Sequence, residues 1–194
     1  MDRFGNEKDL IINPQSLPIR RGKRPVTIRG PLHVQCGGHG DDALLGQLVG
    51  KVIAWPDVDA GPLPIGSAGL VSLRIGEDVA TEDPSVFITG REFARVLFGS
   101  PTIYLTLPLS CAHWAIVRGW AEPHFSVRFR LMPPGTMVVY TPRDEHELVV
   151  CQSLFRVSYN FVRATTSGAP GELHELWPEV QRRHDIREPV AVAE

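Results

Sequence analysis

The second half of the chain alternates strand-like and helix-like hydrophobic patterns, and proline and glycine separate them. Residues 102–107 alternate in character and are rich in β-branched side chains, which predicts a strand with one buried face. Residues 109–118 repeat apolar side chains at helical spacing, and Gly119 is suited to end that helix in a left-handed conformation. Residues 136–141 predict a central strand, and residues 144–163 predict the longest amphipathic helix of the chain. The order of these elements indicates a domain that contains both strands and helices.

The first half of the chain carries the same kinds of signal less regularly. Asp41 and Asp42 can cap a helix whose apolar side chains repeat at helical spacing over residues 44–52. The glycines and prolines between Trp55 and Gly69 predict a loop. The other predictions are a strand over residues 70–75, a short strand over 86–89, and one or two helical turns over 92–98 that end at Gly99.

Length and composition favour one folded domain with arms. A chain of 194 residues with 43% hydrophobic side chains can bury one core. Residues 1–30 are predicted to form an arm and not a packed element, because prolines and a glycine interrupt every periodic run. Residues 164–194 carry few apolar side chains and are predicted to form a mobile tail. The predicted globular domain therefore covers residues 31–163.

Charge and cysteine content argue against several classes of protein. A net charge of −2 and a pI of about 6.4 disfavour a nucleic-acid-binding domain of the usual basic kind. We find no secretory signal pattern and no apolar run of about 18 residues, so we expect a cytoplasmic protein with no membrane partner. Cys36, Cys111 and Cys151 have no Cys-x-x-Cys spacing, which argues against a disulfide framework and a zinc ribbon.

A group of cations lies within the predicted N-terminal arm: Arg20, Arg21, Lys23, Arg24 and Arg29. Guanidinium groups pair bidentately with oxyanions, so this segment could bind a phosphate or an acidic partner. A solvated, positively charged arm is the simpler interpretation, because runs of charge are usually exposed.

Several chemically useful side chains follow directly after a predicted helix, in the segment Gly119-Trp-Ala-Glu-Pro-His124. Pro123 favours an extended conformation at Glu122, and side chains two positions apart then project to the same side. A carboxylate beside an imidazole raises the pKa of the imidazole and orients the ring, as a general base requires. We therefore predict Glu122 and His124 as catalytic residues. Hydrogen bonds from both side chains to the neighbouring backbone are the structural alternative.

His33 and Gln35 lie on one face of a short extended segment, close in sequence to Cys36 and His39. Imidazoles with the carboxylate of Asp41 could bind zinc or iron, but their spacing matches no metal signature, so we predict neither a metal nor another cofactor. A thiol–imidazole nucleophile from Cys36 lacks any sign of activation. We predict His33 as the third catalytic residue and Gln35 as a substrate-binding residue.

Two further residues complete the predicted substrate-binding set. Arg143 stands between a predicted strand end and a helix start, where it could hold an anionic ligand. Asp144 and Glu145 are suited to cap that helix and to interact with its dipole. Trp120 is the second residue of the set, and burial in the core is its structural alternative.

Four motifs follow one another along the chain before a helix that contains Ser158-Tyr159. They are Pro31-Leu-His-Val-Gln35 behind a basic segment, Ile103-Tyr-Leu-Thr-Leu-Pro-Leu109, Gly119-Trp-Ala-Glu-Pro-His124, and Val138-Val-Tyr-Thr-Pro-Arg-Asp-Glu145. Over about residues 18 to 163 the chain resembles the luciferase-domain family, a bacterial and fungal family of largely unknown function. The resemblance implies a fold of class α/β (α+β), with a single small mixed sheet covered by helices between the two arms. The chain departs from the family pattern at Tyr104, where a histidine often precedes the leucines of the strand. No Gly-x-Gly-x-x-Gly motif supports a flavin or nucleotide site, and nothing indicates light emission.

The leading hypothesis is a protein that binds a small-molecule ligand and performs metal-independent acid–base chemistry, as an isomerase, cyclase or hydrolase of accessory metabolism. The alternative is a non-catalytic interaction module that recruits a protein partner through residues 1–30 or through the acidic tail of residues 164–194, which contains Trp177. Nucleic-acid binding through the basic arm is disfavoured by the acidic overall charge.

Overall fold

The computed structural model describes residues 14–62, 69–80 and 83–164. Its eight strands are β1 (Thr27–Ile28), β2 (Val34–Gln35), β3 (Val58–Pro62), β4 (Leu70–Ile75), β5 (Glu92–Leu97), β6 (Thr102–Thr106), β7 (Ala121–Pro123) and β8 (Thr136–Val139). Strands β3 to β8 form one six-stranded sheet in the spatial order β3-β4-β5-β6-β8-β7, and every neighbouring pair is antiparallel. Strands β1 and β2 form a separate antiparallel pair.

Three helices, α1 (Asp42–Ile53), α2 (Leu109–Val117) and α3 (Glu145–Ala164), supply the buried side chains that pack on one face of the sheet. The carboxylate of Asp41 accepts a hydrogen bond from the Leu44 backbone N–H at 2.9 Å, which caps α1 as the sequence predicts. Gly119 follows α2 with φ of +80°, a conformation that glycine adopts without strain. Among the described residues, no helix combines the length and the hydropathy that crossing a bilayer requires.

The opposite face of the sheet carries a row of register partners, one from each of five neighbouring strands: Ser72, Arg95, Tyr104, Val138 and Glu122. Cross-strand partners project to the same side of a sheet, so these side chains share one face. Tyr104 and Val138 belong to a second, smaller apolar cluster, against which Val34 of β2 packs. The β1–β2 pair therefore lies over the face that the helices leave free.

The N-terminal segment before β1 is packed where the structure describes it. Leu17 is buried in the main core, and Arg20 is 6% exposed. The guanidinium of Arg20 forms a buried ion pair with Glu147 of α3 at 2.9 Å, and it lies 5.7 Å from the Trp120 ring centroid. Arg20 is therefore not part of a solvated arm, because its guanidinium pairs with the buried carboxylate of Glu147. Residues 1–13 of the predicted arm lie outside the described residues, as do the predicted tail from residue 165 onward and Trp177.

The fold class is confirmed: helices cover a sheet in a domain that contains both strands and helices. The expected single mixed sheet is instead, in the described residues, an antiparallel sheet of six strands with a separate antiparallel pair. Three local predictions are wrong. Residues 92–97 form strand β5 and not helical turns, residues 84–86 form a 3₁₀ turn where a strand was expected near 86–89, and β3 lies within the segment predicted as a loop. Strand β3 is an edge strand, where Pro62 removes no central ladder hydrogen bond.

Candidate functional site

The three residues predicted as catalytic meet on the face of the sheet that β1 and β2 cover. His33, just before β2, places Nε2 2.7 Å from Oε1 of Glu122 on β7. The rings of His33 and His124 lie 5.5 Å apart between centroids. The exposed fractions of His33, Glu122 and His124 are 0%, 5% and 1%. The structure thus brings the three together, in the interior and not at an open surface.

Glu122 is held ionised by the groups around it. Its Oε1 also accepts a hydrogen bond from the Thr27 hydroxyl at 2.5 Å, and its Oε2 accepts one from the Tyr140 hydroxyl at 3.2 Å. Burial would raise the pKa of Glu122, but the hydrogen bonds from His33 and Thr27 and the positive charge of Arg24 outweigh it and lower that pKa from 4.5 to about 2. A carboxylate so stabilised is a poor proton acceptor at neutral pH.

His33 uses both of its ring nitrogens. Nδ1 accepts a hydrogen bond from the backbone N–H of Phe125 at 3.1 Å, so the neutral ring carries its proton on Nε2 and donates it to Glu122. In this arrangement His33 has no free lone pair with which to act as a base. Its contacts tie the segment before β2 to β7 and to the 3₁₀ turn Phe125–Phe129 that follows.

His124 differs from His33, because one of its nitrogens is unpaired. Nδ1 accepts a hydrogen bond from the backbone N–H of Ser126 at 3.1 Å, which places the proton of the neutral ring on Nε2. Nε2 is buried and has no hydrogen-bond partner among the described residues. Burial, and then the positive charge of His33 when its ring is protonated and that of Arg95, lower the pKa of His124 to about 4. The prediction that Glu122 raises this pKa is wrong, since Glu122 pairs with His33 instead.

Tyr104 is the main side chain at this site that sequence analysis did not identify as functional. Its ring lies edge-on to His124, with the centroids 4.7 Å apart. Its hydroxyl is buried and donates to no acceptor in the part of the chain that the structure describes. Burial raises its pKa to about 12, while the charge of Arg95 and the nearby backbone N–H of His33 act in the opposite direction. Thr106 and its register partner Thr136 carry further buried hydroxyls without described partners. The alternation in β6 was the available signal, because it places Thr102, Tyr104 and Thr106 on one face.

Gln35 and Trp120 were both predicted to bind substrate. Their side chains instead form hydrogen bonds with backbone groups of the protein. The Gln35 side chain accepts from the Thr141 backbone N–H at 3.0 Å and donates to the Gly37 carbonyl at 3.2 Å. The Trp120 indole N–H donates to the Pro18 carbonyl at 2.5 Å, and the ring is buried in the main core. Both side chains therefore fasten the N-terminal segment to the sheet.

Arg143, the other predicted substrate-binding residue, pairs with a carboxylate of the protein. Its guanidinium hydrogen-bonds to Glu147 one turn along α3 and to the Arg21 carbonyl at 2.6 Å. The same Glu147 holds the buried Arg20. The structure thus gives Arg143 an anionic partner within the chain.

The residues considered as metal ligands have other contacts. Asp41 caps α1, and a ring nitrogen of His39 lies 2.9 Å from the Gly40 carbonyl oxygen. In the described ranges, no group of three or more histidine, cysteine, aspartate or glutamate side chains is arranged to hold a metal ion.

Comparison with known proteins supports the resemblance that the sequence motifs indicated. Residues 90–158 match the family described as Luciferase domain. The matched region runs from just before β5 into α3 and includes Tyr104, Glu122 and His124, whereas His33 precedes it. No curated protein and no solved structure matches the chain.

Proposed function

We propose that this chain, with its luciferase-domain match over residues 90–158, binds a small organic molecule in the buried polar region lined by His124 and Tyr104. The observation that carries the proposal is the pair of adjacent buried donors, Nε2 of His124 and the Tyr104 hydroxyl, that donate to no described acceptor. Leaving a buried polar group unpaired costs about 1–3 kcal/mol, and native proteins pair about 90% or more of them. A ligand with acceptor atoms would offset that cost.

The chemistry available at this pair is hydrogen-bond donation. His124 is neutral at pH 7 with its proton on Nε2, and the raised pKa of Tyr104 keeps its hydroxyl protonated. Two donors aimed at one oxygen stabilise negative charge that develops on it, as in enolisation or acyl transfer. We therefore propose metal-independent acid–base catalysis, as an isomerase, cyclase or hydrolase, with His124 and Tyr104 as the donors. Glu122 and His33 are positioning residues in this proposal, because their hydrogen-bonding capacity is already used.

Access to this region depends on the segment that carries β1 and β2. Thr27 and His33 both bind Glu122, so the carboxylate fastens the segment to the sheet from two points. Since His33 and His124 are at most 1% exposed, we propose that a ligand enters when residues 27–35 move. Closure over the bound molecule would then exclude water from the two donors.

A binding experiment with a defined panel tests the proposal. The panel is acetamide, benzamide and phenylacetamide with the three matching carboxylates, and the measurements are thermal unfolding and the ¹⁵N shifts of the histidine rings. We expect at least one compound to stabilise the protein and to move the His124 Nε2 resonance. The variant His124→Phe should lose the thermal stabilisation by the compound, whereas the control His113→Phe, on α2, should keep it. A panel without effect, or an effect that survives in His124→Phe, would contradict the proposal.

A second candidate is the non-catalytic protein-interaction module. It is favoured by apolar side chains that are 55–69% exposed within one short stretch, namely Ile19, Val26, Ile28 and Leu32. The exposed cations Arg21, Lys23 and Arg29 lie among them, so charge complementarity favours an acidic partner. A labelled peptide with the sequence of residues 172–180 is a suitable acidic probe. Its binding should weaken with added salt and in the variant Val26→Ser, and salt-independent binding would contradict this candidate.

We also propose a cytoplasmic location. All three cysteines are free, as expected for a reducing compartment. Fractionation of cells that produce the full chain tests this location.

A further inference from the structure

Arg95 is a charged residue of this region that neither the motifs nor the proposed roles use. It lies on β5 as the register partner of Tyr104, and its guanidinium carbon is 6.0 Å from the Tyr104 ring centroid. Its charge also contributes to the lowered pKa of His124. Arg95 therefore lies beside the two donors that the proposed function assigns to the ligand.

One edge of the Arg95 guanidinium is fixed by the protein. Nε and Nη2 donate to the two carboxylate oxygens of Glu92 at 2.9 and 2.5 Å. Glu92 is fully buried, and the Arg95 side chain is only 14% exposed. A bidentate pair of this kind fixes the plane of the guanidinium as well as its position.

The other edge of the guanidinium remains available. Nη1 has no hydrogen-bond partner in the ranges that the structure describes, although a guanidinium offers five N–H donors in all. Nη1 of Arg95 and Nε2 of His124 can only donate, and the Tyr104 hydroxyl can donate as well. The two nearby carboxylates, Glu92 and Glu122, are both paired. Apart from hydroxyl groups, which can both donate and accept, the unpaired polar atoms that the structure describes in this region are donors, and such a region complements a ligand rich in acceptor oxygens.

We propose that the ligand of this site is a small organic carboxylate, and that Arg95 is the residue that selects it over neutral analogues. This inference rests on the proposed function and goes beyond it by naming the ligand class. The planar carboxylate matches the free edge of the guanidinium, and a second oxygen contact comes from His124 or Tyr104. Arg95 acts here as a binding residue that touches the ligand.

The test compares each acid of the panel with its own amide, which has nearly the same shape and no charge. For the wild-type chain, we expect at least one of acetate, benzoate and phenylacetate to bind at least tenfold more tightly than its amide, by titration of the His124 Nε2 resonance. Removing only Arg95 would leave Glu92 as an unpaired buried charge, so the variant is the double substitution Arg95→Gln with Glu92→Gln. The matched control removes a surface ion pair, Arg163→Gln with Asp57→Asn.

We expect the double variant at residues 95 and 92 to lose the preference for the acid while still binding the amide, and the surface control to keep the preference. Equal binding of acids and amides by the wild type, or an unchanged preference in the Arg95 variant, would overturn the inference and leave the proposed function intact. If neither acids nor amides perturb His124, the proposed function fails and the inference fails with it. Wild-type and variant chains should first be compared by circular dichroism to confirm that each is folded.

Discussion

Replacing Glu122 with glutamine should make the stability of the protein less dependent on pH. The pKa of Glu122 is lowered from 4.5 to about 2 in the folded chain, so its ionised form stabilises the fold above the unfolded pKa, and this contribution is lost as pH falls toward the folded pKa. A difference of 2.5 pKa units at 1.36 kcal/mol each gives about 3 kcal/mol at pH 7. The side chain is only 6% exposed, so solvent screens this contribution little.

The magnitude at low pH follows from the same pKa. At pH 3 the carboxyl group of Glu122 is protonated in the unfolded chain, whereas in the folded chain it is mostly ionised because the pH is one unit above its pKa. Its remaining contribution to the free energy of unfolding is about 1.4 kcal/mol. The stability difference between wild type and Glu122→Gln should therefore shrink by about 2 kcal/mol between pH 7 and pH 3. Other groups titrate in both chains and cancel in this difference, apart from those that contact Glu122 directly, of which His33 is the nearest.

Urea unfolding at pH 7, 5, 4 and 3, followed by circular dichroism, measures this difference. The control is Glu145→Gln, an exposed position in the first turn of α3, whose effect should stay within about 0.5 kcal/mol at every pH. A wild-type-to-variant difference that stays constant from pH 7 to pH 3 would refute the reasoning. It would mean that the contacts of Glu122 do not depend on its charge.

Three further predictions concern packing and the buried ion pair. Arg20→Ala should lower the free energy of unfolding by about 3 kcal/mol, because it leaves the buried carboxylate of Glu147 with one cation fewer. Replacing both partners by Met and Leu should cost less, and an Arg20→Ala effect no larger than a surface change would contradict this. Gly135→Ala should destabilise the fold by about 1–3 kcal/mol, because the added Cβ would lie 2.0 Å from the Leu107 carbonyl oxygen. Gly46→Ala in α1 should raise stability by up to about 1 kcal/mol, since among the described residues only its chain neighbours and the backbone of its own helix come within 4 Å of the added Cβ. Equal melting temperatures for the two glycine variants would contradict both predictions.

The helices were predictable because each presents one apolar face and has a clear end. Asp41 caps α1, and Gly119 follows α2, as their residue types suggest. Strand β5 was not predictable from its pattern, because the sequence from Glu92 to Leu97 is almost wholly buried on both faces and so lacks the alternation of a half-buried strand. Only pairing with β4 and β6 distinguishes it from a short buried helix.

The N-terminal cations show a different limit of sequence analysis. A run of charges is usually solvated, and nothing within the run indicates that Arg20 is buried whereas Arg21 is exposed. The reason lies far along the chain, in Glu147 of α3 and in the rings of Trp120 and Tyr140. A buried cation depends on its partner, and a single sequence does not reveal that pairing.

The sequence predicted which residues form the candidate site better than it predicted the role of each. Extended geometry predicted that Glu122 and His124 project to the same side, and the structure brings His33 to them from a segment far away in sequence. The roles depend on which nitrogen and which oxygen are already bonded, and that depends on backbone N–H groups of residues 125 and 126 that any sequence would supply. The same reasoning explains why Tyr104 was missed, because its chemical interest comes from a hydroxyl that donates to no described acceptor and not from its residue type.

The polar groups on this face of the sheet fall into two sets, and the difference between them argues for a binding role over a purely structural one. Glu122, His33 and Gln35 have partners for their polar atoms, and apart from the bond between Gln35 and Gly37 these hydrogen bonds join the covering segment to β7 and to residues that follow β7 and β8. Tyr104 and His124 are just as buried, yet each keeps one donor without a described acceptor. A fold that required only a cover could have apolar side chains at these two positions at lower cost. The first set therefore holds the cover in place, and the second set is what the cover encloses.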